Sequence, residues 1–359
     1  MGLVRRSARS AAVALLALGL SACGSPYLTQ NPSDMLVRVG DDKIMQAAAP
    51  SADVMLDYAL LADQGYADVN YERGAGPFAI GDGTYCEGRE RPGADCVDRA
   101  GLTDYARSRL RRWRRIYAGL DAPEFRCLSG EACGDHVGGL GVQVWVRTGR
   151  VCSEAAIVFR GTDGGSADDW LSNLRWLLRL LPLDDQYDQV GRTAPTFVET
   201  IAREPCFRRG RTRITAIGHS LGGGLAQRAA YQDGRIRAVT AFDPSFVTGA
   251  SDVPPADLAA RTRDLAIERI YEHGEILAYP RWALRQLAPY STCDPRIRTI
   301  RLNTIRGNPV EQHSLNSMAT ALLGWSLTEK RAGRRTDREP EPSPPLGCGP
   351  AGPPALRVL

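Results

Sequence analysis

Histidine is scarce in this chain: there are four in 359 residues, and no Cys-x-x-Cys pair or histidine cluster accompanies the nine cysteines. A zinc site of the usual ligand spacing is thereby excluded, and no metal or organic cofactor is expected. Long apolar runs are missing too. The N-terminal run, Ala11 to Leu20, has ten residues, about half of what a helix needs to cross a bilayer. Excess charge is also absent. The formal net charge is +4, and without Arg5, Arg6 and Arg9 it falls to +1 (4 minus 3), which speaks against nucleic-acid binding as the main task. No internal repeat is present, so a solenoid is excluded. What remains is an ordinary globular composition, 43% hydrophobic and 24% charged, with enough length for one large α/β domain and extensions.

Periodicity supplies the fold class. Val142 to Val146 alternates as a half-buried strand does, and Ala155 to Phe159 is a short apolar run suited to a strand buried on both faces. Further strands are expected at Ile214 to Ile217, Arg237 to Phe242, Ala266 to Tyr271 and Ile297 to Leu302. Helices are expected at Ala52 to Ala62, Asp168 to Leu181, Thr196 to Arg203, Leu225 to Tyr231 and Ser314 to Leu323. Strands and helices taking turns predict an α/β fold with a mostly parallel sheet covered on both faces. Leu102 to Leu120 also reads as helical and carries Arg107, Arg109, Arg111, Arg112, Arg114 and Arg115. That face is either solvated or turned to anionic headgroups. The expected divisions are 1–22 a signal segment, 23–49 a polar tether, 50–135 a helical and disulfide-rich extension, 136–328 the catalytic domain, and 329–359 a proline-rich disordered tail.

One stretch concentrates the chemistry. Ile214 to Ile217 runs into Gly218-His219-Ser220-Leu221-Gly222, and a helical segment leaves it. This is the strand, sharp turn and helix that a Gly-x-Ser-x-Gly nucleophile requires. Glycines two residues either side of Ser220 relieve the crowding of a strained turn, and the following helix presents its N-terminus to developing negative charge. A serine hydroxyl needs a histidine to take its proton and a carboxylate to hold that histidine. Where the order is serine, acid, histidine, His313, in a turn opening the last helix, is the candidate base. His273 comes too early, beside the candidate acid. Glu275, after the strand ending at Tyr271, is the preferred acid, with Asp243 as the alternative and Glu272 behind it.

These residues, with Phe159-Arg160-Gly161-Thr162, resemble the class 3 lipase family of α/β-hydrolases over about Val142 to Leu323. The resemblance implies an oxyanion hole formed by Thr162 and by the Leu221 amide. It also implies a mobile lid at the helix carrying Trp170, Leu171, Leu174, Leu177, Leu178 and Leu181, whose spacing also suits an ordinary buried helix. Asp168 or Asp169 is a candidate brace for Thr162. The chain departs from the family at Phe242-Asp243-Pro244, where a glycine-containing turn is usual, and in having a glutamate as the acid.

At the N-terminus, arginines, an apolar run and Leu20-Ser21-Ala22-Cys23 resemble the signal and lipobox of bacterial lipoproteins. That resemblance implies cleavage before Cys23, lipid attachment to its sulfur, and an exported protein of the cell envelope, at the outer membrane given Ser25. Eight cysteines then remain, an even number suited to disulfides. Local spacing favours Cys86 with Cys96 and Cys127 with Cys133. Cys152 and Cys206 each precede a strand and can bridge at one edge of the sheet, and Cys293 with Cys348 would tie down the tail. The expected partners are a lipid or ester substrate and the membrane at the anchor, and no oligomeric state is implied. The leading expectation is a serine hydrolase acting on acyl lipids. Its alternatives are an acyltransferase with the same site and a non-catalytic envelope lipoprotein on a retained hydrolase scaffold.

Overall fold

The continuous burial of Glu154–Phe159, six residues with none exposed, needs cover on both faces of the sheet. The computed structural model provides it. It describes residues 31–66, 99–118, 140–161, 186–278, 281 and 293–343. Within these, nine strands form one sheet: β1 (Asp34–Val39), β2 (Asp42–Ala47), β3 (Trp113–Ala118), β4 (Val142–Arg147), β5 (Glu154–Phe159), β6 (Arg213–His219), β7 (Ala238–Phe242), β8 (Ala266–Glu272) and β9 (Arg296–Leu302). Their spatial order is β2-β1-β9-β8-β7-β6-β5-β4-β3. The five central strands β5 to β9 are parallel neighbours in sequence order, and antiparallel pairs flank them on each side. The fold is of the α/β-hydrolase type, mixed at its edges and parallel at its centre.

Alternate side chains of each strand enter two separate cores, as the period of two dictates. Ala155, Ile157 and Phe159 pack beneath helices α3 (Gln186–Ala202), α4 (Leu221–Gln232) and α5 (Pro255–Arg261). Ala156 and Val158 face α1 (Ala52–Gln64), α2 (Arg99–Leu110) and α6 (Leu315–Arg331) on the other side.

Three expectations need correcting. The stretch expected as a tether contains the hairpin β1–β2, and Met35 and Val37, both fully buried, pack in the second core. The arginine-rich stretch is not one helix. It breaks after Leu110 into edge strand β3, paired antiparallel with β4. Arg109 is 6% exposed and binds Asp53 at 3.0 Å and Asp57 at 2.5 Å, while Arg112 and Arg147 meet the same Asp57 at 2.7 and 3.0 Å. These cations hold α2 and β4 to α1, so most of their charge is used inside the protein. The tail, finally, is ordered through Ser343: the Thr336 carbonyl accepts from Asp53 N–H at 2.8 Å and Arg338 N–H donates to Pro50 at 2.9 Å. Its carboxylate Glu339 meets the buried Arg298 at 2.9 Å.

Cys152 and Cys206 are disulfide-bonded across 54 residues, as their places before β5 and β6 suggested. Cys293 is also disulfide-bonded. The local pairs Cys86/Cys96 and Cys127/Cys133, and Cys348, lie outside the described residues, as do Cys23 and the signal segment. Among the described residues, no helix is long and apolar enough to cross a membrane. A 54-residue closed loop gives about 4 kcal/mol by chain entropy. Cys152→Ala/Cys206→Ala is therefore expected to lower Tm by on the order of 10 °C, read by calorimetry. A change within error would show that the reduced chain is already held by the backbone bond from Cys152 N–H to the Cys206 carbonyl.

Candidate active site

Parallel strands in sequence order bring their carboxyl ends to one rim, the usual place for a site in such sheets. Here Gly161 follows β5, Ser220 follows β6, Asp243 follows β7, Glu275 follows β8 and His313 follows β9. Five segments far apart in sequence thus meet along one edge.

Ser220 occupies a sharp turn with φ 57° and ψ −124°, a left-handed conformation uncommon for a residue with a side chain. The turn is over-determined by its surroundings. Ser220 N–H donates to the Phe242 carbonyl at 3.0 Å, and its own carbonyl accepts from Gly223 and Ser245 at 3.0 and 2.9 Å. The flanking glycines answer a steric demand: a Cβ at Gly218 would overlap the Gly222 carbonyl, and one at Gly222 would overlap the Phe159 carbonyl. The Ser220 hydroxyl is buried and makes no hydrogen bond within the described residues. Leu221 is the first residue of α4, so its amide sits at the helix N-terminus beside that hydroxyl.

Gly161 presses against the elbow. A Cβ there would lie 2.6 Å from the His219 carbonyl oxygen and 3.3 Å from the Ser220 Cβ. The Phe-Arg-Gly turn thus reaches the serine, and Thr162, the residue after it, lies outside the described residues, as does the expected lid helix.

His313 ends a short 3-10 turn, Glu311–His313, and Ser314 caps the following helix by accepting from Ser317 N–H at 3.3 Å. Its Nδ1 is 2.8 Å from Glu275 Oε2. Its ring lies 4.7 Å from that of His219, the residue preceding Ser220. His219 Nε2 is 3.0 Å from the His313 carbonyl oxygen. That oxygen only accepts, so Nε2 carries the proton, and Nδ1 then accepts from the Tyr66 hydroxyl at 2.8 Å. Burial, followed by His313, holds His219 well below the ordinary histidine range, so it stays neutral. Tyr66 in turn accepts from Gly161 N–H at 3.2 Å. The chain Gly161–Tyr66–His219–His313 couples the turn after β5 to the loop carrying the histidine. Sequence reading missed Tyr66, because nothing just past α1 signals a role at strand ends 95 and 153 residues further along the chain.

Glu275 is fully buried. Its Oε2 also accepts from Leu277 N–H at 2.7 Å, and its Oε1 meets Arg281 at 2.6 Å. Burial alone would raise it, but Arg281, then His313 and the Leu277 amide, outweigh that and hold it below the usual glutamate range. Asp243 differs in state. It is fully buried at φ 39°, and its Oδ1 accepts from Glu272 N–H at 2.7 Å, while Oδ2 makes no hydrogen bond within the described residues. Burial, and next the charge of Glu275, push it well above the usual aspartate range. Of the two candidate acids, the structure hydrogen-bonds Glu275 to His313. Glu272 turns elsewhere, accepting from the Thr304 amide and hydroxyl and the Ile305 amide; burial raises it to about 7.

His219, Asp243 and His313 have donor atoms within 4.8 Å of one another. Both nitrogens of His219 are engaged in hydrogen bonds, so this group suits proton handling better than metal ligation. A polar cavity of about 480 Å³, lined in part by Asp57, Arg147, Glu154, Glu268 and Arg298, lies toward the opposite, amino ends of the strands. Its charges pair with one another, as in a structural seam.

Residues 116–248, which include β4 to β7 and the elbow, match the family model of a Tle-like phospholipase domain. No curated protein matches the chain. Among solved structures it is similar to a lipase from Rhizopus microsporus var. chinensis, with 13% identity, a TM-score of 0.40, and coverage of 79% of this chain and 91% of that one.

Proposed function

We propose that this protein is a serine hydrolase that cleaves ester bonds of acyl lipids, with phospholipids the first class to examine. The observation that carries the reading is the placement of Gly161, Ser220, Glu275 and His313 at the carboxyl ends of four parallel strands, with Glu275 bonded to His313 Nδ1. Ser220 is the nucleophile, His313 the general base and Glu275 the acid that orients it. In the first step Ser220 Oγ bonds to the carbonyl carbon and its proton passes to His313, which then protonates the departing alcohol. In the second, water attacks the acyl-enzyme, gives its proton to His313, and releases the fatty acid as Ser220 recovers its hydrogen. The Leu221 amide, and Thr162 after Gly161, are assigned to the oxyanion. The likeness of residues 116–248 to a phospholipase domain supports the substrate class. Export and lipid attachment at Cys23 belong to the same reading: they put the enzyme on an envelope membrane beside its substrate.

The test is release of free fatty acid from phosphatidylcholine or phosphatidylglycerol vesicles, emulsified triacylglycerol and soluble short-chain esters. Phospholipid should rank first. His313→Ala should lower kcat by about 10⁴-fold or more. Full activity in that variant would remove His313 as base, and acyl product formed without free acid would identify transfer in place of hydrolysis. Radiolabelled palmitate incorporated in the expressing bacterium, and lost in Cys23→Ala, checks the anchor.

A further inference from the structure

Two carboxyl groups compete for one histidine at this site. Glu275 touches His313 Nδ1 at 2.8 Å, and Asp243 lies with a carboxyl oxygen within 4.8 Å of a His313 ring nitrogen. Both are fully buried, one at the end of β7 and the other just past β8. Two like charges packed this closely, away from water, do not both ionise freely, so one must hold a proton. We propose that Arg281 is a positioning residue that decides which of the two carries the negative charge facing His313.

Arg281 lies six residues after Glu275, and its side chain folds back over the site. One terminal nitrogen donates to Glu275 Oε1 at 2.6 Å, and the other donates to the Pro244 carbonyl at 2.9 Å. Its guanidinium carbon sits 4.0 Å from the centre of the Tyr271 ring. The planar group is therefore fixed on three sides, and a fixed fork offers a carboxylate more than a mobile ammonium does. The contact with Pro244 matters most, because Pro244 follows Asp243 directly. Arg281 bonds the backbone beside one carboxyl and the side chain of the other, so its charge lowers both carboxyls but only Glu275 receives a direct contact from it.

The other groups turned toward the pair leave this assignment in place. His219, from the elbow, is neutral, with both nitrogens in hydrogen bonds. Glu272, from β8, accepts from residues 304 and 305 and donates its N–H to Asp243. Asp63 of α1 bonds Asn316, three residues past His313, at 3.3 Å. Among these described groups Arg281 alone brings a positive charge into contact with either carboxyl. The states already described agree: Glu275 held low, with Arg281 first among the influences lowering it, and Asp243 held high by burial and by Glu275.

The proposal rests on the catalytic reading above, and its test separates the two. kcat/KM on a soluble ester is measured against pH for wild type, Arg281→Gln, Arg281→Lys and Arg281→Gln/Asp243→Asn. Without the cation Glu275 holds its proton more tightly, so the acidic limb of Arg281→Gln should move up by about one to two pH units. Arg281→Lys should reverse most of the shift, and adding Asp243→Asn to Arg281→Gln should bring the limb part of the way back by removing the rival charge. An unmoved limb in Arg281→Gln overturns the proposal. So does a loss equal at every pH that Arg281→Lys fails to repair, since that is the mark of packing alone. Difference infrared spectra of Arg281→Gln against wild type should show one protonated-carboxyl band exchanged for another near neutral pH, as the proton held by Asp243 passes to Glu275. That readout is independent of turnover. A wild type that cleaves no ester defeats the catalytic reading, while an infrared spectrum without that exchange defeats the role of Arg281.

Discussion

Ser220→Ala should abolish ester cleavage and at the same time leave the protein slightly more stable. Loss of the nucleophile of a serine–histidine–acid set lowers kcat by about 10⁴- to 10⁶-fold. The residual rate would come from the donors around the site and from binding alone. The gain in stability has a separate cause. The hydroxyl is buried without a hydrogen bond in the described structure, and an unsatisfied buried polar group costs roughly 1 to 3 kcal/mol. Alanine keeps the Cβ and the strained backbone but removes the lone polar atom, so a gain of about 1 kcal/mol is the expected balance. Calorimetry and a phospholipid assay on the same preparation read both effects. An active variant would exclude Ser220 as nucleophile. An inactive but much less stable one would show that the hydroxyl is bonded in solution.

Gly218→Ala should have the opposite signature, loss of fold and function together. The added methyl would overlap the Gly222 carbonyl and stand 2.8 Å from the Gly223 amide nitrogen, both backbone atoms of the turn entering α4. A side chain can rotate out of such a clash, but a helix backbone packed between β6 and the first core has nowhere to go. The cost is put at about 3 kcal/mol or more, a fall in Tm on the order of 10 °C. The damage should spread further, because Ser220 binds Phe242 of β7 and Ser245 of the next loop, so displacing the elbow loosens two strand ends. A variant with unchanged Tm and activity would mean that the turn relaxes far more easily than its hydrogen bonds suggest.

The contrast between these variants also marks what was legible in the sequence. The elbow was readable because its constraints are local: glycines two residues from a serine answer crowding within five residues. The central strands were readable because burial on both faces leaves short, largely apolar runs, unbroken from Ala155 to Phe159 in β5 and interrupted only by Thr240 in β7. His313 stood out because so few histidines follow Ser220. Other features are held by partners distant in sequence and leave little local trace. Strand β3 reads as helix because arginines suit either state, and only its pairing with β4 decides. Hairpin β1–β2 hides among polar residues, although Met35, Val37 and Val39 alternate inward. Arg109 looks solvated until two aspartates of α1 are seen to meet it. The contest between Glu275 and Asp243 was visible as two candidates, but its outcome depends on Arg281, whose reach back across Tyr271 no spacing rule conveys.

The strand-end arrangement has one more consequence. Every group at the rim belongs to a different crossover, so no fragment of the chain holds a working subset, and the last pairing to settle completes the whole. Catalysis in such a molecule is all-or-nothing with respect to assembly, and recovered turnover marks the moment at which the entire central sheet has closed.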